Sequence, residues 1–200
     1  MKRKNLIVTL TLSSLFCTLM IIGSFIRIPM PNMMPVTLQT FFVLLTALVL
    51  PIKASVLAII TYIALGLIGL PIFSGGGGVG YILMPNFGFI IGFLIATVII
   101  SVIIQKLQNR KLWQYIVISL FGITVIYIIG ILYFAFITNV YNKGDYSAIW
   151  FIQTVFLPFI PKEIICIILS SLSAYKIRPY ITKGKVWKLI SFLNYYFIIL

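Results

Sequence analysis

Long apolar segments with almost no charge dominate this sequence, and they constrain its fold more than any other feature. Of the 200 residues, 62% are hydrophobic and only 8% are charged, whereas about 25% of an average soluble chain is charged. In hydrocarbon every backbone N–H and C=O group must find a partner within the protein, and long apolar stretches without strict alternation favour helices over a barrel. The sequence therefore predicts an all-α integral membrane protein with no room for a soluble domain.

Six candidate spans fit into the chain. They cover residues 5–26, 36–50, 53–70, 84–104, 112–136 and 150–175. The second and third are short and are separated only by Pro51, Ile52 and Lys53, which predicts a tight helical hairpin that is broken at the proline. We expect a membrane domain at residues 1–176. The remaining residues, 177–200, form a basic and apolar tail that is cytoplasmic or interfacial, since its apolar part is too short to span a bilayer.

The positions of the basic residues predict the orientation of the bundle. The formal net charge is +13, and if both termini are cytoplasmic, all but three of the 15 basic residues lie on inner segments. The three on the outer side are Arg27, Lys143 and Lys162. This asymmetry satisfies the positive-inside rule, and it favours anchoring to anionic head groups over nucleic-acid binding. The sequence thus predicts six transmembrane helices with both ends in the cytoplasm.

The scarcity of acidic residues and of histidine argues against catalysis. Histidine is absent, and Asp145 and Glu163 are the only acids, so an intramembrane transferase or protease would depend on those two alone. Cys17 and Cys166 fall inside apolar segments, which suggests neither a disulfide nor a metal site. No enzyme, cofactor or metal is expected. Two acids also disfavour an ion-coupled secondary carrier, although sodium sites built from carbonyl groups stay open.

A run of glycines lies between the third and fourth candidate spans, within GLPIFSGGGGVGYILMPNFGF at residues 69–89. A Walker A loop would end in Gly-Lys-Ser or Gly-Lys-Thr, but Tyr81 follows the last glycine here, so ATP-driven work must come from a partner. The run is either a flexible outer loop that permits close helix contact, or a loop whose bare amides at residues 75–80 meet a ligand. The neighbouring Tyr81, Pro85 and Asn86 favour the second interpretation.

Two other outer segments carry polar residues at the membrane boundary. The first outer loop and second span read GSFIRIPMPNMMPVTLQTFF, in which Thr37, Gln39 and Thr40 either face inward or bond a neighbouring helix. The sixth span opens FLPFIPKEIICIILSS, and there Lys162 and Glu163 either face a cavity and one another or snorkel into water. Because three outer segments converge on one end of the bundle, we expect a pocket there for a small, mostly apolar molecule with a few polar groups.

These motifs resemble those of a known family. RIPMP...PVTLQTFF, GLIGLPIFSGGGGVGYILMPNFGFIIGF and PFIPKE are similar to segments of the BioY proteins, the biotin-specific substrate-binding (S) components of energy-coupling factor (ECF) transporters. The likeness covers most of residues 14–175. It implies a six-helix S component of the bacterial cell membrane that captures biotin from outside and works with a transmembrane coupling subunit and two cytoplasmic ATPases. It also implies that Ser14 and Thr18, at small-xxx-small spacing on the first helix, meet the coupling subunit.

Residue type and outer location, taken with this resemblance, predict which residues bind the substrate. They are Arg27, Gln39, Gly77, Gly78, Gly80, Tyr81, Asn86, Phe87, Lys162 and Glu163. Glu163 and the amides of the glycine run are expected to bond the ureido group of biotin. Tyr81 and Phe87 are expected to stack near its bicyclic ring, and the carboxylate is expected to meet Lys162 or Arg27.

The sequence departs from the family pattern at two of these places. The sixth helix of the family commonly opens Pro-Gly-Asp with a lysine three residues past the aspartate, whereas this chain has Pro161, Lys162, Glu163 and then Cys166. The usual Pro-Thr-Gly-Gly-Tyr after the glycine run becomes PNFGF at residues 85–89. Either biotin is held by altered contacts, or the same role serves a different small carboxylated vitamin such as lipoate. A stand-alone secondary carrier is a further alternative.

Overall fold

The structure is a computed structural model that describes residues 2–29, 35–107 and 111–182. Its α-helices are α1 (Lys2–Phe25), α2 (Gln39–Val49), α3 (Ile52–Leu67), α4 (Phe87–Lys106), α5 (Leu112–Ala135), α6 (Ala148–Phe151) and α7 (Ile160–Thr182). Two short strands, β1 (Arg27–Ile28) and β2 (Val36–Thr37), pair antiparallel between α1 and α2. A 3-10 helix at Val79–Leu83 follows the glycine run.

The described residues confirm a helical membrane fold with six helical segments. Four stretches are long and apolar enough to cross a membrane, namely Leu6–Phe25, Phe87–Lys106, Leu112–Tyr141 and Ala148–Ile181. The last of these begins with α6 and passes through a π-helical turn and a 3-10 turn into α7. This helix reaches Thr182, beyond the predicted end at residue 175, and the rest of the predicted tail, residues 183–200, lies outside the described residues.

The two short segments, α2 and α3, form the predicted hairpin, with Pro51 extended between them. Nine of the 11 residues of α2 are buried, and Val43, Leu44, Ala47 and Leu48 are completely inaccessible. A helix that is apolar on all sides is typical of the centre of a bundle. Because α2 packs against α1, α4 and α7, it does not need the length of a lipid-facing span.

Serine hydroxyl groups join the helices within the apolar core. The Ser55 and Ser101 hydroxyls lie 2.8 Å apart, and Ser101 also donates to the carbonyl oxygen of Ala47 at 3.1 Å. A second pair, Ser119 and Ser171, joins α5 to α7 at 3.1 Å. Such bonds between small polar residues hold transmembrane helices together where the hydrophobic effect cannot.

Glycines bring α4 and α5 into close contact. A Cβ atom at Gly92 would lie 2.9 Å from the carbonyl oxygen of Ile126, and one at Gly130 would lie 2.5 Å from the ring of Phe89. The Phe89 ring fills that space and meets Tyr127 edge to face, with 5.6 Å between ring centroids. The close approach therefore fixes two side chains that reach the candidate site.

The opposite end of the bundle contains a buried arginine. Arg178 is 1% exposed, and its Nη1 donates to the carbonyl oxygen of Leu48, in the last turn of α2. The last carbonyls of a helix have no partner within it, and a basic side chain is well suited to them. The sequence indicates only an inner positive charge at Arg178, whereas the structure shows that this residue links α7 to the centre of the bundle.

Candidate functional site

A cavity of about 50 Å³ lies at the end of the bundle where α2 and α7 begin. Its polar lining comes from the strand β2, the glycine run and the helices, and consists of Thr37, Gln39, Thr40, Ser74, Tyr81, Asn86, Tyr127, Lys162 and Glu163. Its apolar lining is Pro35, Phe89, Ile90, Phe93, Ile126, Val155 and Phe159. The three outer segments that the sequence predicted to converge do meet here.

The most polar part of the cavity is an ion pair with its hydrogen-bond partners. The Nζ atom of Lys162 lies 2.5 Å from Oε1 of Glu163, and the Tyr127 hydroxyl donates to the same oxygen at 2.9 Å. Lys162 also donates to Oγ1 of Thr40 at 3.1 Å. The pair joins α7 to both α2 and α5.

One oxygen of this carboxylate has no partner. Glu163 is 6% exposed, and none of the described residues donates a hydrogen bond to its buried Oε2 atom. An unsatisfied buried acceptor costs roughly 1–3 kcal/mol, and more when it is charged. A ligand that brings an N–H or O–H donor to this oxygen would satisfy a strong acceptor.

Lys162 points toward this cavity, a question that the sequence left open. Its ammonium group lies 5.9 Å from the centroid of the Phe159 ring, and its side chain is 18% exposed. Consecutive residues on a helix do not face one another. The ammonium group reaches Glu163 because the lysine side chain is long enough to bend toward it. Its charge is balanced by the carboxylate.

Gln39 contributes from the first turn of α2. Its Nε2 group donates to the hydroxyl of Tyr62 at 2.8 Å, and Tyr62 in turn donates to the carbonyl oxygen of Ile72 at 3.3 Å. The Ser24 hydroxyl donates to that same carbonyl at 2.6 Å. The amide of Gln39 is thus held by a buried chain of groups from α1, α3 and the loop after α3.

The glycine run folds back onto the end of α3. The Gly78 amide donates to the Gly66 carbonyl at 2.7 Å, and Phe73 and Gly76 exchange two backbone bonds of 2.9 and 3.1 Å. Gly76 and Gly78 have φ values of 129° and 96°, a region that other residues rarely enter. The loop is therefore a defined structure that forms one wall of the cavity.

Aromatic rings extend this wall away from the cavity. Tyr81 is 5% exposed and its ring centroid lies 4.8 Å from that of Phe73. Phe87 packs behind Tyr81 at 6.4 Å and against Tyr133 at 6.2 Å. Aromatic pairs at such centroid distances contribute about 0.5–1.5 kcal/mol each, so the wall is firmly packed.

Five of the ten predicted binding residues line the cavity, namely Gln39, Tyr81, Asn86, Lys162 and Glu163. The other five, Arg27, Gly77, Gly78, Gly80 and Phe87, lie nearby without lining it. Arg27 is exposed and donates to the carbonyl oxygen of Ser74, which ties β1 to the glycine run. Direct contact of these five with a substrate stays a prediction. The predicted partner residues, Ser14 and Thr18, are exposed on α1 and bond carbonyls of their own helix.

Tyr127 is the main site residue that sequence reasoning missed. It lies inside the fifth span, where its hydroxyl needs a polar partner. Glu163 is the only acidic residue near a span. The pairing of Tyr127 with Glu163 could therefore have been proposed from the sequence, but its geometry depends on how α5 packs against α7.

A larger groove of about 610 Å³ runs along the exterior of α5 and α7. Its lining is aliphatic and aromatic except for Thr124, Tyr127 and Glu163, and the Thr124 hydroxyl is already bonded to its own helix. Such a surface suits lipid rather than a polar ligand. We therefore place the site in the smaller cavity, whose volume is below the roughly 300–1,000 Å³ of most ligand pockets, so its walls must move apart to admit a substrate.

This chain is similar in sequence and in structure to known proteins. A model of the BioY family matches residues 1–183. The probable biotin transporter BioY of Lysinibacillus sphaericus is 30% identical over 192 residues, which cover 95% of this chain and 96% of that protein. The biotin transporter BioY of Thermotoga maritima is 32% identical over 167 residues, with 83% and 93% covered. The crystal structure of the S-component for biotin from an ECF-type ABC transporter matches with a TM-score of 0.79 and 26% identity, over 90% of this chain and 95% of that one.

Proposed function

The chain belongs to the BioY family, and on that premise we propose that the cavity at the start of α2 and α7 binds biotin. The protein is a multi-pass membrane subunit that binds substrate for biotin uptake, and its family is one of transport proteins rather than enzymes.

The observation that carries this proposal is the buried, unpartnered Oε2 atom of Glu163. The ureido ring of biotin has two N–H donors and one carbonyl acceptor. Glu163 accepts one N–H group, while Gln39 and Asn86 line the same cavity and supply further amide groups. The apolar lining from α4, including Phe89 and Phe93, surrounds the rest of the bicyclic ring.

The carboxylate of biotin has two candidate partners, Lys162 and Arg27. Lys162 is already paired with Glu163 at 2.5 Å, so its charge is largely balanced within the protein. Arg27 is exposed and is bonded to the carbonyl of Ser74, which lines the cavity. We assign the carboxylate to Arg27 and the ureido ring to Glu163, so that the acid end of the ligand lies toward water.

The same premise supports partners in energy coupling. We propose that a transmembrane coupling subunit contacts α1 at Ser14 and Thr18 and that two cytoplasmic ATPases drive transport. Both side chains are exposed, and each hydroxyl donates to a carbonyl oxygen of its own helix at 3.0 Å. These small side chains therefore allow another helix to approach α1 closely. With both termini in the cytoplasm, the membrane domain continues past the boundary predicted at residue 176 as far as Thr182, since α7 reaches that residue and buries Arg178.

Calorimetric titration of biotin into the purified protein in detergent tests this function, with lipoate and thiamine as comparators. We expect stoichiometric binding of biotin and none of thiamine. Binding of lipoate but not of biotin by a folded sample would assign the cavity to the other small carboxylated vitamin. Biotin uptake by liposomes that contain this chain alone would favour a stand-alone carrier over a subunit.

A further inference from the structure

Tyr62 lies behind the cavity, where its hydroxyl group contacts the side chain of Gln39. The tyrosine is completely buried in α3, and its oxygen lies 2.8 Å from Gln39 Nε2 and 3.3 Å from the carbonyl oxygen of Ile72. We propose that Tyr62 is a positioning residue that orients the Gln39 amide so that its oxygen, and not its NH₂ group, faces the substrate. This inference rests on the proposed binding of biotin and names a determinant of its selectivity.

Counting hydrogens gives the direction of the amide. A tyrosine hydroxyl has one hydrogen, and the carbonyl oxygen of Ile72 can only accept. If the hydroxyl donates to Ile72, its oxygen must accept from Gln39, which requires the NH₂ group to face Tyr62. If the amide were reversed, Gln39 Oε1 would accept the hydrogen of the Tyr62 hydroxyl. The Tyr62 oxygen and the Ile72 carbonyl oxygen would then lie 3.3 Å apart with no hydrogen between them.

The carbonyl group that fixes this direction is itself held in place. Ser24, 1% exposed on α1, donates to the Ile72 oxygen at 2.6 Å. The neighbouring Phe73 ring meets Tyr62 edge to face, with 5.4 Å between centroids. Because burial, the Phe73 ring and the bond to the Ile72 carbonyl restrain Tyr62, its hydroxyl acts as a fixed reference for Gln39.

The consequence is a cavity with two acceptors from different helices. Gln39 of α2 presents Oε1, and Glu163 of α7 presents the buried Oε2 that no described residue satisfies. Thr40, the residue after Gln39, lies 3.5 Å from the Glu163 carboxylate, so the two acceptors share one end of the cavity. A ring with two N–H donors satisfies both, whereas a sulfur ring without N–H groups leaves both unpaired and is rejected.

A double-mutant cycle tests the positioning role by calorimetry with biotin. Tyr62→Phe keeps the ring and removes the hydroxyl, and we expect it to weaken biotin binding about 3- to 10-fold, the effect of one hydrogen bond. In a Gln39→Leu background the same change is expected to have no further effect. An equal loss in both backgrounds, or no loss in either, would overturn the inference.

A second readout covers the case in which Gln39→Leu removes measurable binding. The affinity ratio between biotin and an analogue with methylated ureido nitrogens should fall in Tyr62→Phe, whereas a purely structural role would weaken both ligands equally. Tyr115→Phe is the matched control, because Tyr115 is likewise a buried tyrosine, 1% exposed, but lies in the first turn of α5. Failure of the unaltered protein to bind biotin would reject the proposed function. Tight binding by that protein with an unchanged ratio in Tyr62→Phe would reject only the inference.

Discussion

Lys162 and Glu163 are adjacent in the chain and form an ion pair in the cavity wall, with 2.5 Å between Nζ and Oε1. Adjacent helical residues project about 100° apart, so the pair requires the lysine side chain to bend back, where Thr40 holds its ammonium group at 3.1 Å. The pair turns two charges into one neutral unit. Among the described residues, none donates to the other carboxylate oxygen, Oε2.

Glu163→Gln should weaken biotin binding by about 2 kcal/mol or more, because a charged acceptor bonds more strongly than an amide oxygen. Calorimetry measures the affinity. Glu163→Asp, which keeps the charge, should retain more of the binding than Glu163→Gln. Equal binding by the glutamine variant and the unaltered protein would remove the ureido role from Glu163.

Tyr127→Phe should reduce biotin affinity by about 1 kcal/mol. The change removes the hydroxyl that donates to Glu163 Oε1 at 2.9 Å, so the carboxylate loses one of the groups that orient it and keeps its pairing with Lys162. Tyr175→Phe is the control, since Tyr175 is 45% exposed on α7 and distant from the cavity lining. The prediction fails if the two variants bind biotin with the same affinity.

Gly77→Ala and Gly80→Ala should behave differently, although both glycines belong to the same run. A Cβ atom at Gly77 would overlap the carbonyl oxygen of Leu70, whereas one at Gly80 has no neighbour within 4 Å. Gly77→Ala should therefore open the loop and lower both the thermal unfolding midpoint and biotin affinity. Gly80→Ala should leave the unfolding midpoint near that of the unaltered protein. If this variant loses biotin affinity while its midpoint is unchanged, Gly80 contacts the ligand directly.

Arg178→Met should lower the free energy of unfolding by about 2 kcal/mol, because it leaves the Leu48 carbonyl without its charged donor. The buried helix α2 carries Gln39 and Thr40 at its other end, so biotin affinity should fall as well. Thermal unfolding in detergent measures the first effect. Lys176→Met, an exposed basic residue two positions earlier, should change neither quantity, and a similar loss in both variants would contradict the role of Arg178.

Ser14→Leu combined with Thr18→Leu should leave biotin affinity unchanged and prevent co-purification with the coupling subunit, since two bulky side chains keep the helices apart. Thr124→Leu is the matched control. Thr124 is also exposed and bonds a carbonyl of its own helix at 3.0 Å, but it lies on α5. Retention of the coupling subunit by the double variant would place the interface elsewhere.

The sequence by itself determined the class of the fold and the family, for reasons that are local. Apolar length sets the number of helical segments, Pro51 breaks the α2–α3 hairpin, and the glycine run with the polar ends of the second and sixth spans marks the end of the bundle that holds the cavity. The sequence also predicted three of the cavity residues, Glu163, Gln39 and Asn86, because a polar residue near an apolar span needs a partner or a ligand.

Only the tertiary structure decided which of those residues meet, because contacts between helices depend on packing over long sequence separations. The pairing of Tyr127 with Glu163 spans 36 residues, and that of Lys162 with Thr40 spans 122. Arg178 and Tyr62 illustrate the same limit. The sequence predicted only an inner charge for Arg178 and nothing for Tyr62, whereas in the structure the first bonds Leu48 and the second bonds Gln39, both on α2.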